Sequence, residues 1–416
     1  MSNLTLVPAF VAPPPLPGAD LTRERAVRIL HVVWTLELVA GGPPVVVTRL
    51  AGAQARLGHQ VTILTHAPRV GQAEVALPRD DHATPIAIEH VPGSGRERVF
   101  CRVARLRLRE LVPRVDIVHV HGVWAPIGWA ASVIARRSGT PCCIAPHGML
   151  DPWALNSQGW AKRLKKHLAL SLGLRRLLND AAFIHVLNHD EGSLLAPLRL
   201  RGPFEIVPNG VTPEEFHPPP PSHAFIDLHP ALRGQTYILS LCRLHAKKGL
   251  EVLLAAFAKL SKARSDVDLV LAGPDGGVEA ELRRQALSLG LQSRIHFVGA
   301  LDGPAKLAAL AGCACFCLPS RQEGFSMAVL EAMMVGRPVV ITPACHFPEV
   351  ESSNAGFVAP CEPDAICDSL SRLLSDQPLA HLQGENAQRL VREHFSWSAA
   401  ASRSIAAYQR AAAGGR

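Results

Sequence analysis

The sequence contains no segment typical of protein export or of a membrane span. The first twenty residues lack Lys and Arg and are interrupted by prolines, whereas a signal peptide begins with positive charge and continues as an unbroken apolar run. The longest apolar stretch, residues 307–318, has twelve residues, and a spanning helix needs roughly 20. We therefore expect residues 1–26 to form a disordered extension and the protein to be cytoplasmic, either soluble or peripheral at the membrane.

The sequence is also poor in tyrosine and in metal-type spacings. Two tyrosines and the lack of a recognisable base-reading motif disfavour a nucleic-acid-binding protein, although the net charge is +8. Cys313, Cys315 and Cys317 follow the alternation of a strand, and no second Cys or His pair with zinc spacing accompanies them, so we expect a structural role. The positive charge still suits an anionic partner, such as a phosphate-bearing substrate or an anionic membrane.

The length of the chain and its pattern of apolar runs predict two α/β domains. A chain of 416 residues exceeds the ~250–300 at which single cores usually split. Short apolar runs alternate with longer helical patterns, which predicts parallel βα units. The predicted strands of the first half are 28–34, 60–66, 116–122, 140–146 and 183–188. Those of the second half are 237–243, 268–273, 295–300, 314–319 and 338–342.

A proline-rich segment separates the two groups of strands. Residues 207–225 contain six prolines in 19 residues, which is typical of a linker. We place the boundary near Pro208, with a first domain at 27–208, a second at 209–396 and a last helix, 397–413, that returns to the first domain. The predicted fold is α/β, with two Rossmann-like, doubly wound parallel sheets that face a cleft at the carboxyl ends of their strands, where such sheets bind ligands.

The segment 319–342 carries the strongest functional signal. It follows a predicted strand, turns at Gly324 and continues as an apolar helix. The first-turn amides of Phe325, Ser326 and Met327 lack helical partners and would point into the cleft, an arrangement suited to a sugar diphosphate.

Two glutamates belong to this segment. Glu323 precedes the helix, and Glu331 is predicted about two turns inside it among apolar residues, where an unpaired carboxylate is costly to bury. The two adjacent hydroxyls of a ribose would satisfy Glu331; the alternative is that both glutamates are solvated surface charges. Eight residues along a helix span about 12 Å, more than the ~5–9 Å of a glycosidase pair, which disfavours hydrolysis if both lie on the helix.

A second segment combines cations with a helix start. Arg243 is predicted to close a strand, and Lys248 and Gly249 to open an amphipathic helix. Cations are disfavoured near a helix N-terminus unless an anion is present, so the pair predicts a site for a departing nucleotide diphosphate. An ordinary basic helix start is the alternative.

Glycines and histidines follow the strands of the first domain. Gly41 and Gly42 permit close backbone approach to a phosphate or an acceptor, but the run is not G-x-G-x-x-G. His121 and His147 come just after two predicted strands, on the cleft side. The sequence alone leaves a purely structural role open for both.

Taken together, these motifs resemble the family 4 retaining glycosyltransferases from residue 27 to the end. Three signatures of that family carry the resemblance: the E-x7-E glutamates, the R-x4-K cations and the PNGV junction. They are met by Glu323 and Glu331, by Arg243 and Lys248, and by residues 208–211.

The resemblance implies a type-B glycosyltransferase (GT-B) fold, a UDP- or GDP-sugar donor and a hexosyl transfer with retention, without a protein nucleophile, metal or other cofactor. It implies that Glu331 binds ribose, that Glu323 and the amides of 325–327 bind the transferred sugar, and that Arg243 and Lys248 bind the diphosphate. It places His121 near the sugar, and it assigns His147, Gly41 and Gly42 to the donor side of the cleft. The Asp266-Val267-Asp268 run imitates a metal motif of other glycosyltransferases, but it leads into a strand and is expected to be structural.

The resemblance also bears on partners. Residues 146–155 are similar to family members that build capsular polysaccharide, exopolysaccharide or lipopolysaccharide, so the expected acceptor is a glycan or a polyprenyl-linked sugar. Residues 160–180 place six cations around an apolar stripe, which predicts contact with an anionic membrane surface; a solvated helical face is the alternative. Other functions weighed are a nucleotide-sugar epimerase, a phosphorylase, whose cofactor-lysine motif is not evident, and a non-catalytic basic or nucleic-acid-binding scaffold.

Overall fold

The computed structural model describes residues 25–77, 84–156, 159–221 and 223–414. The extension predicted over residues 1–26 lies outside the described residues, except for Arg25 and Ala26. Among the described residues, no helix combines the length and the apolarity required to cross a bilayer.

The first sheet has seven parallel strands in the order β3-β2-β1-β4-β5-β6-β7. The strands are β1 (Arg28–Val33), β2 (Gln60–His66), β3 (Ala87–Val91), β4 (Ile117–His121), β5 (Cys142–Ala145), β6 (Phe183–Val186) and β7 (Phe204–Ile206). The helices of this part are α1 (Gly42–Arg56), α2 (Gly95–Phe100), α3 (Arg102–Leu111), α4 (Pro126–Ser138), α5 (Pro152–Asn156), α6 (Trp160–Ala169), α7 (Arg175–Asp180) and α8 (His189–Leu194). A π-helical turn, Leu170–Leu174, joins α6 to α7.

The second sheet has six parallel strands in the order β10-β9-β8-β11-β12-β13. The strands are β8 (Thr236–Leu241), β9 (Val267–Ala272), β10 (Ile295–Gly299), β11 (Cys315–Leu318), β12 (Val339–Ile341) and β13 (Gly356–Val358). The remaining helices are α9 (Ala224–Leu228), α10 (Leu250–Leu260), α11 (Glu279–Ser288), α12 (Gly303–Gly312), α13 (Met327–Met334), α14 (Glu349–Ser352), α15 (Pro363–Ser375), α16 (Gln377–His394) and α17 (Trp397–Gly414). The predicted fold of two doubly wound parallel sheets is confirmed.

The last helix crosses back to the first sheet. In α17, Ile405 and Tyr408 pack in one apolar core with Val47 and Ala51 of α1. The chain leaves the first sheet after Ile206, the last residue of β7. A domain boundary near residue 208 stays a prediction.

The three clustered cysteines belong to two different cores. Cys315 and Cys317 are buried in the core that includes Leu253 and Ile366, whereas Cys313 is buried with Phe316 in the core on the other face of the sheet. Burial raises the pKa of the Cys313 thiol to about 12. The three thiols therefore fill apolar space as small hydrophobic side chains.

Candidate functional site

The predicted site residues lie where both sheets reverse their strand order. In the first sheet this point falls between β1 and β4, and in the second between β8 and β11. His121 is the last residue of β4, Arg243 follows β8, and Glu323 follows β11. Because open α/β sheets bind ligands in the crevice at such switch points, the topology collects these distant residues at one cleft.

Loops from the two sheets meet at this cleft. A Cβ on Gly148 would lie 3.4 Å from Cα of Gly324. The side-chain amide of Asn188 donates to the carbonyl of Gly324 at 3.4 Å and to that of His346 at 3.0 Å. The glycine at position 324 thus allows the loop after β11 to lie directly against the first half of the chain.

Lys248 and Glu323 form a buried ion pair. Their side chains are 11% and 8% exposed, and the hydroxyl of Ser320 donates to the same carboxylate oxygen at 2.8 Å. Gly249, with φ of 63°, follows the lysine, and a Cβ there would lie 2.2 Å from the carbonyl oxygen of Pro319. The glycine therefore brings the start of α10 against β11, which places Lys248 beside Glu323.

The loop after β8 carries several positive charges, and the carboxylate of Glu323 neutralises one of them. Arg243 is exposed, and its side chain has no ion pair among the residues that the structure describes. Burial and the neighbouring Lys248 lower the pKa of Lys247, and burial and Lys247 lower the pKa of His245. This excess favours an anion at the cleft. Sequence reasoning missed Lys247 and His245, although both stand between the two predicted cations.

The predicted backbone amides stand at the start of α13. Ser326 is the N-cap and Met327 the first helical residue. None of the amides of Phe325, Ser326 and Met327 donates a hydrogen bond to a loop or side chain in the described ranges. The ring of Phe325 packs against Phe347 and Phe395, with centroids 5.6 and 5.9 Å away. This aromatic packing anchors the loop and leaves its amides for a ligand.

The position of Glu331 differs from the prediction in two respects. Because α13 begins at Met327, Glu331 lies one turn inside the helix rather than two, and Glu323 lies outside it. The helical spacing used to disfavour a glycosidase pair therefore does not apply. Lys306 of α12 donates to the Glu331 carboxylate at 2.7 Å, so a protein cation already offsets the cost of burying this charge. Glu331 lines a cavity of about 560 Å³ together with Lys306 and Met327.

The glycine-rich loop opens α1. Gly41 has φ of 86° and caps the helix, and Gly42 is its first residue. A Cβ at either position would meet no heavy atom within 4 Å. The loop therefore leaves room beside its backbone for a ligand, as the predicted close approach requires.

His121 and His147 lie in contact. Nδ1 of His121 is 3.0 Å from Nε2 of His147, and the two ring planes are nearly parallel, 14° apart. Burial lowers the pKa of His147 to about 3 and that of His121 well below its ordinary range, so both are neutral at physiological pH. His31, His119 and His121 form a converging group in the described part of the chain, with one ring nitrogen from each within 4.8 Å of the others. This is the arrangement best suited to a metal ion.

The acidic run at 266–268 is engaged in ion pairs. Asp266 pairs with Arg264 at 2.9 Å, and the buried Asp268 accepts from Arg294 at 2.5 Å and lies 2.8 Å from His296. These partners hold the carboxylates at the base of β9, away from the switch point.

Two family models match the chain. The model described as "Glycosyl transferase 4-like domain" matches residues 41–210, and the model described as "Glycosyl transferases group 1" matches residues 228–390. Together they cover most of the sequence, and they divide it as the two sheets do.

Relatives and a solved structure agree with these matches. The chain is 24% identical to the phosphatidylinositol N-acetylglucosaminyltransferase gpi3 subunit of Schizosaccharomyces pombe, over 85% of this chain and 74% of that protein. It is 26% identical to the D-inositol 3-phosphate glycosyltransferase of Jonesia denitrificans, over 89% and 91%. The fold matches Anabaena HepE in complex with UDP and glucose, with a TM-score of 0.72, 18% identity, and coverage of 92% of this chain and 100% of that one. The chain belongs to the group 1 (family 4) glycosyltransferases.

Proposed function

We propose that this glycosyltransferase moves a hexose from a UDP- or GDP-sugar, with retention, to a glycan or polyprenyl-linked acceptor in the synthesis of capsule, exopolysaccharide or lipopolysaccharide. The buried Lys248–Glu323 pair stands at the switch point of the second sheet, on the same loop as Arg243, which has no ion pair with any described residue; this observation carries the donor assignment. A nucleotide diphosphate would neutralise the excess positive charge there. The similarity in fold to HepE, whose complex holds UDP and glucose, supports this proposal.

The proposed reaction requires orientation and charge stabilisation from the protein. Lys248 and Arg243 would hold the diphosphate and stabilise the charge that grows as it leaves. The amides of residues 325–327 and Glu323 would hold the sugar, and Glu331 the ribose. The leaving phosphate would accept the proton of the acceptor hydroxyl on the same face, so the protein supplies no nucleophile and the step needs no metal.

The donor proposal predicts nucleotide binding that survives chelation of metal ions. By calorimetry in EDTA, we expect either UDP or GDP to bind at least tenfold more tightly than the other and than ADP. Because Glu331 would accept hydrogen bonds from ribose, the wild type should prefer this nucleotide to its 2′-deoxy form by about tenfold, as expected for one charge-assisted hydrogen bond. Glu331→Ala should abolish that preference.

Glu385→Ala is the matched control, since it removes a carboxylate that pairs with His381 on the exposed face of α16. This variant should keep the wild-type preference for ribose. Folded wild-type protein that binds none of the three nucleotides would refute the donor site, and binding that disappears in EDTA would refute the metal-free reaction. Acceptors can then be screened for sugar transfer. Because two relatives are named for phosphatidylinositol and D-inositol 3-phosphate, inositol-containing compounds should be tested beside glycans.

The first half of the chain carries a surface that suits an anionic membrane. Trp160, Leu164, Leu168 and Leu172 recur every four residues, so they lie on one side of the helical segment, and they are 54–81% exposed. Cations flank this stripe: Lys162, Arg163, Lys165, Arg175 and Arg176. Basic amphipathic surfaces of this kind insert their apolar side at the headgroup boundary of anionic bilayers. We propose that the protein binds the membrane through this stripe.

Vesicle flotation tests the membrane proposal. The wild type should bind vesicles of phosphatidylcholine with 30% phosphatidylglycerol, and Leu164→Ser with Leu168→Ser should weaken binding at least tenfold because both leucines lose their insertion into lipid, about 1–2 kcal/mol each. Leu287→Ser on α11, which removes a leucine that is 63% exposed in the second half of the chain, should bind as the wild type does. Equal binding to pure phosphatidylcholine would contradict the electrostatic part of the proposal, and full binding by the double variant would contradict the stripe.

A further inference from the structure

A layer of histidines lies between the first sheet and the helices α1 and α17. His31 of β1, His119 and His121 of β4 and His185 of β6 are all buried. Strand pairing sets His31 beside His119, and His119 and His121 are two residues apart, so their side chains leave the same face of the sheet. Four imidazoles in one buried layer are unusual, because each has two ring nitrogens that require partners.

The side chains of this layer form one continuous line of hydrogen bonds that ends at the cleft. Gln54 of α1 and Tyr408 of α17 complete it. From the cleft inward, the contacts are His147 Nε2 to His121 Nδ1 (3.0 Å), His121 Nε2 to His31 Nδ1 (2.8 Å), His31 Nε2 to Gln54 Oε1 (2.8 Å), Gln54 Nε2 to Tyr408 Oη (3.2 Å), Tyr408 Oη to His119 Nδ1 (2.7 Å), His119 Nε2 to His185 Nδ1 (3.2 Å) and His185 Nε2 to the Val207 carbonyl (2.7 Å).

The inner end of the line sets the direction of donation. The Val207 carbonyl can only accept, so His185 donates from Nε2 and, being neutral, accepts at Nδ1. His119 must then donate from Nε2 and accept at Nδ1 from the Tyr408 hydroxyl. The hydroxyl oxygen in turn accepts from the Gln54 amide nitrogen.

A second carbonyl fixes Gln54 independently. Its amide nitrogen also donates at 2.9 Å to the hydroxyl of Ser404, whose own proton goes to the Ala401 carbonyl at 2.7 Å. The amide nitrogen of Gln54 therefore points to α17, and its oxygen points to His31. If the amide were reversed, its oxygen would face the Ser404 oxygen. Because the Ser404 proton already goes to the Ala401 carbonyl, two acceptors would then be in contact without a hydrogen between them.

The orientation of Gln54 determines the tautomers of the three histidines between it and the cleft. His31 donates from Nε2 to the Gln54 oxygen and accepts at Nδ1, so His121 donates from Nε2 and accepts at Nδ1 from Nε2 of His147. Nδ1 of His147 is then an unprotonated acceptor, and it has no hydrogen-bond partner in the described parts of the chain. His147 precedes Gly148, the residue that lies against Gly324 of the signature loop.

We propose that Gln54 is a positioning residue that fixes His147 as a hydrogen-bond acceptor for a hydroxyl group of the donor sugar. The proposal rests on the donor site inferred above. Gln54 touches no substrate itself; it acts through His31 and His121, and α17 takes part because the contact with Ser404 is sufficient to orient its amide.

The same assignment decides against a metal ion at His31, His119 and His121. All six ring nitrogens of these residues are already used in the line, each as a donor or an acceptor. A bound ion would need three of them as lone-pair donors and would break the line where it is most buried.

NMR of protein labelled with ¹⁵N at histidine reads the tautomers directly, through the coupling of ring nitrogens to ring protons. In the wild type we expect His31, His119, His121, His147 and His185 to be neutral and protonated at Nε2. In Gln54→Leu, Nε2 of His31 loses its acceptor, so His31 is free to carry its proton on Nδ1 and donate it to His121. This would reverse the direction of donation between His31 and His147 and protonate Nδ1 of His147. Tyr408→Phe removes the hydroxyl that joins Gln54 to His119, but Ser404 still orients Gln54. His147 should therefore keep its tautomer.

Kinetics provide the functional readout. Gln54→Leu should raise KM for the sugar nucleotide about tenfold with little change in kcat, since a contact made equally in the ground and transition states affects KM alone. Its affinity for the free nucleoside diphosphate should stay within twofold. Tyr408→Phe, which also loses a buried hydrogen bond, should change neither value more than twofold.

Three outcomes would overturn the proposal: a wild-type His147 protonated at Nδ1, an equal rise in KM in both variants, or stoichiometric zinc bound by the isolated protein through these histidines. The wild-type spectrum tests the tautomers even if neither variant folds. A wild type that binds no nucleoside diphosphate would instead refute the donor site, while the tautomers can still be read.

Discussion

The free energy of unfolding is expected to fall steeply as the pH drops from about 6.5 to about 4. Burial lowers the pKa of His31 and His185 to about 4 in the folded protein, and it lowers the pKa of His119 and His121 well below the ordinary range. In the unfolded chain these side chains titrate near 6.5. Between the two values the unfolded state binds more protons, so stability is present above pH 6.5 and is lost on acidification.

The size of the effect follows from the number of groups. Each histidine that is neutral when folded and protonated when unfolded removes about 1.4 kcal/mol per pH unit. With His147, whose pKa burial lowers to about 3, five such histidines remove about 7 kcal/mol per unit, against a total stability of about 5–15 kcal/mol for a typical domain. The first half of the chain should therefore unfold above pH 4. Carboxylates contribute at lower pH: ion pairing with Arg69 lowers the pKa of Glu37 to about 2, so its contribution is lost below pH 4.5.

Difference titration measures the effect without requiring reversible unfolding. At pH 5, folded protein should bind about five fewer protons than protein unfolded in urea, one for each histidine of the line. His119→Gln is the informative variant, because its amide can accept from Tyr408 and donate to His185 but cannot titrate. The deficit in this variant should fall by one proton. Equal proton binding by the two states of the wild type would show that the buried histidines carry charge, and the line of neutral donors and acceptors would be wrong.

Nine of the ten predicted strands were predictable from the sequence because both of their faces are largely buried; the tenth, β10, lies at a sheet edge and is partly exposed. A run such as VDLVLA in β9 is buried at every position, so it reads as a continuous apolar segment. The strands that were missed, β3, β7 and β13, all lie at sheet edges and are partly exposed. The edge position lowers the apolar content of AIEHV and FEI, and a three-residue strand such as GFV has too few residues to show a period.

The candidate site was predictable where chemistry and spacing coincide within one segment. Arg243 and Lys248, like Glu323 and Glu331, lie within nine residues of each other in sequence, and a single turn after a strand brings them to the cleft. The histidine line joins positions up to 354 residues apart, and the direction of its part between Gln54 and the cleft depends on Ser404 of a helix that returns from the far end of the chain. One signal was present in the sequence: the predicted strands RILHVV, IVHVH and FIHV each carry histidine within an otherwise apolar run.

The other large effect is expected from removing the positive charge of Lys248. Lys248→Met would leave the carboxylate of Glu323 buried, with the Ser320 hydroxyl as its only side-chain hydrogen-bond donor among the residues that the structure describes. Breaking one partner of a buried pair typically costs about 3–5 kcal/mol of stability. The same change removes a charge proposed to hold the diphosphate, so the affinity for the nucleoside diphosphate should fall about 10- to 100-fold. Thermal unfolding and calorimetry measure the two losses separately.

Two further variants separate folding from binding. Adding Glu323→Gln to Lys248→Met removes the stranded charge, so most of the stability should return while nucleotide binding stays weak. Arg243→Met changes an exposed side chain without an ion pair in the described residues, so stability should change by no more than about 0.5 kcal/mol while affinity falls at least tenfold.

The pattern across the three variants decides what the two cations are for. If Lys248 and Arg243 had no role in binding, the double variant would recover binding together with stability, and Arg243→Met would bind nucleotide as the wild type does. If Lys248 and Arg243 hold the diphosphate, binding stays weak in all three variants whatever their stability. The second pattern is expected. Lys248 is 11% exposed and lies beside a single carboxylate, in a loop that already carries unbalanced positive charge. Burying a charge there costs more free energy of folding than one ion pair returns, which indicates a role in binding.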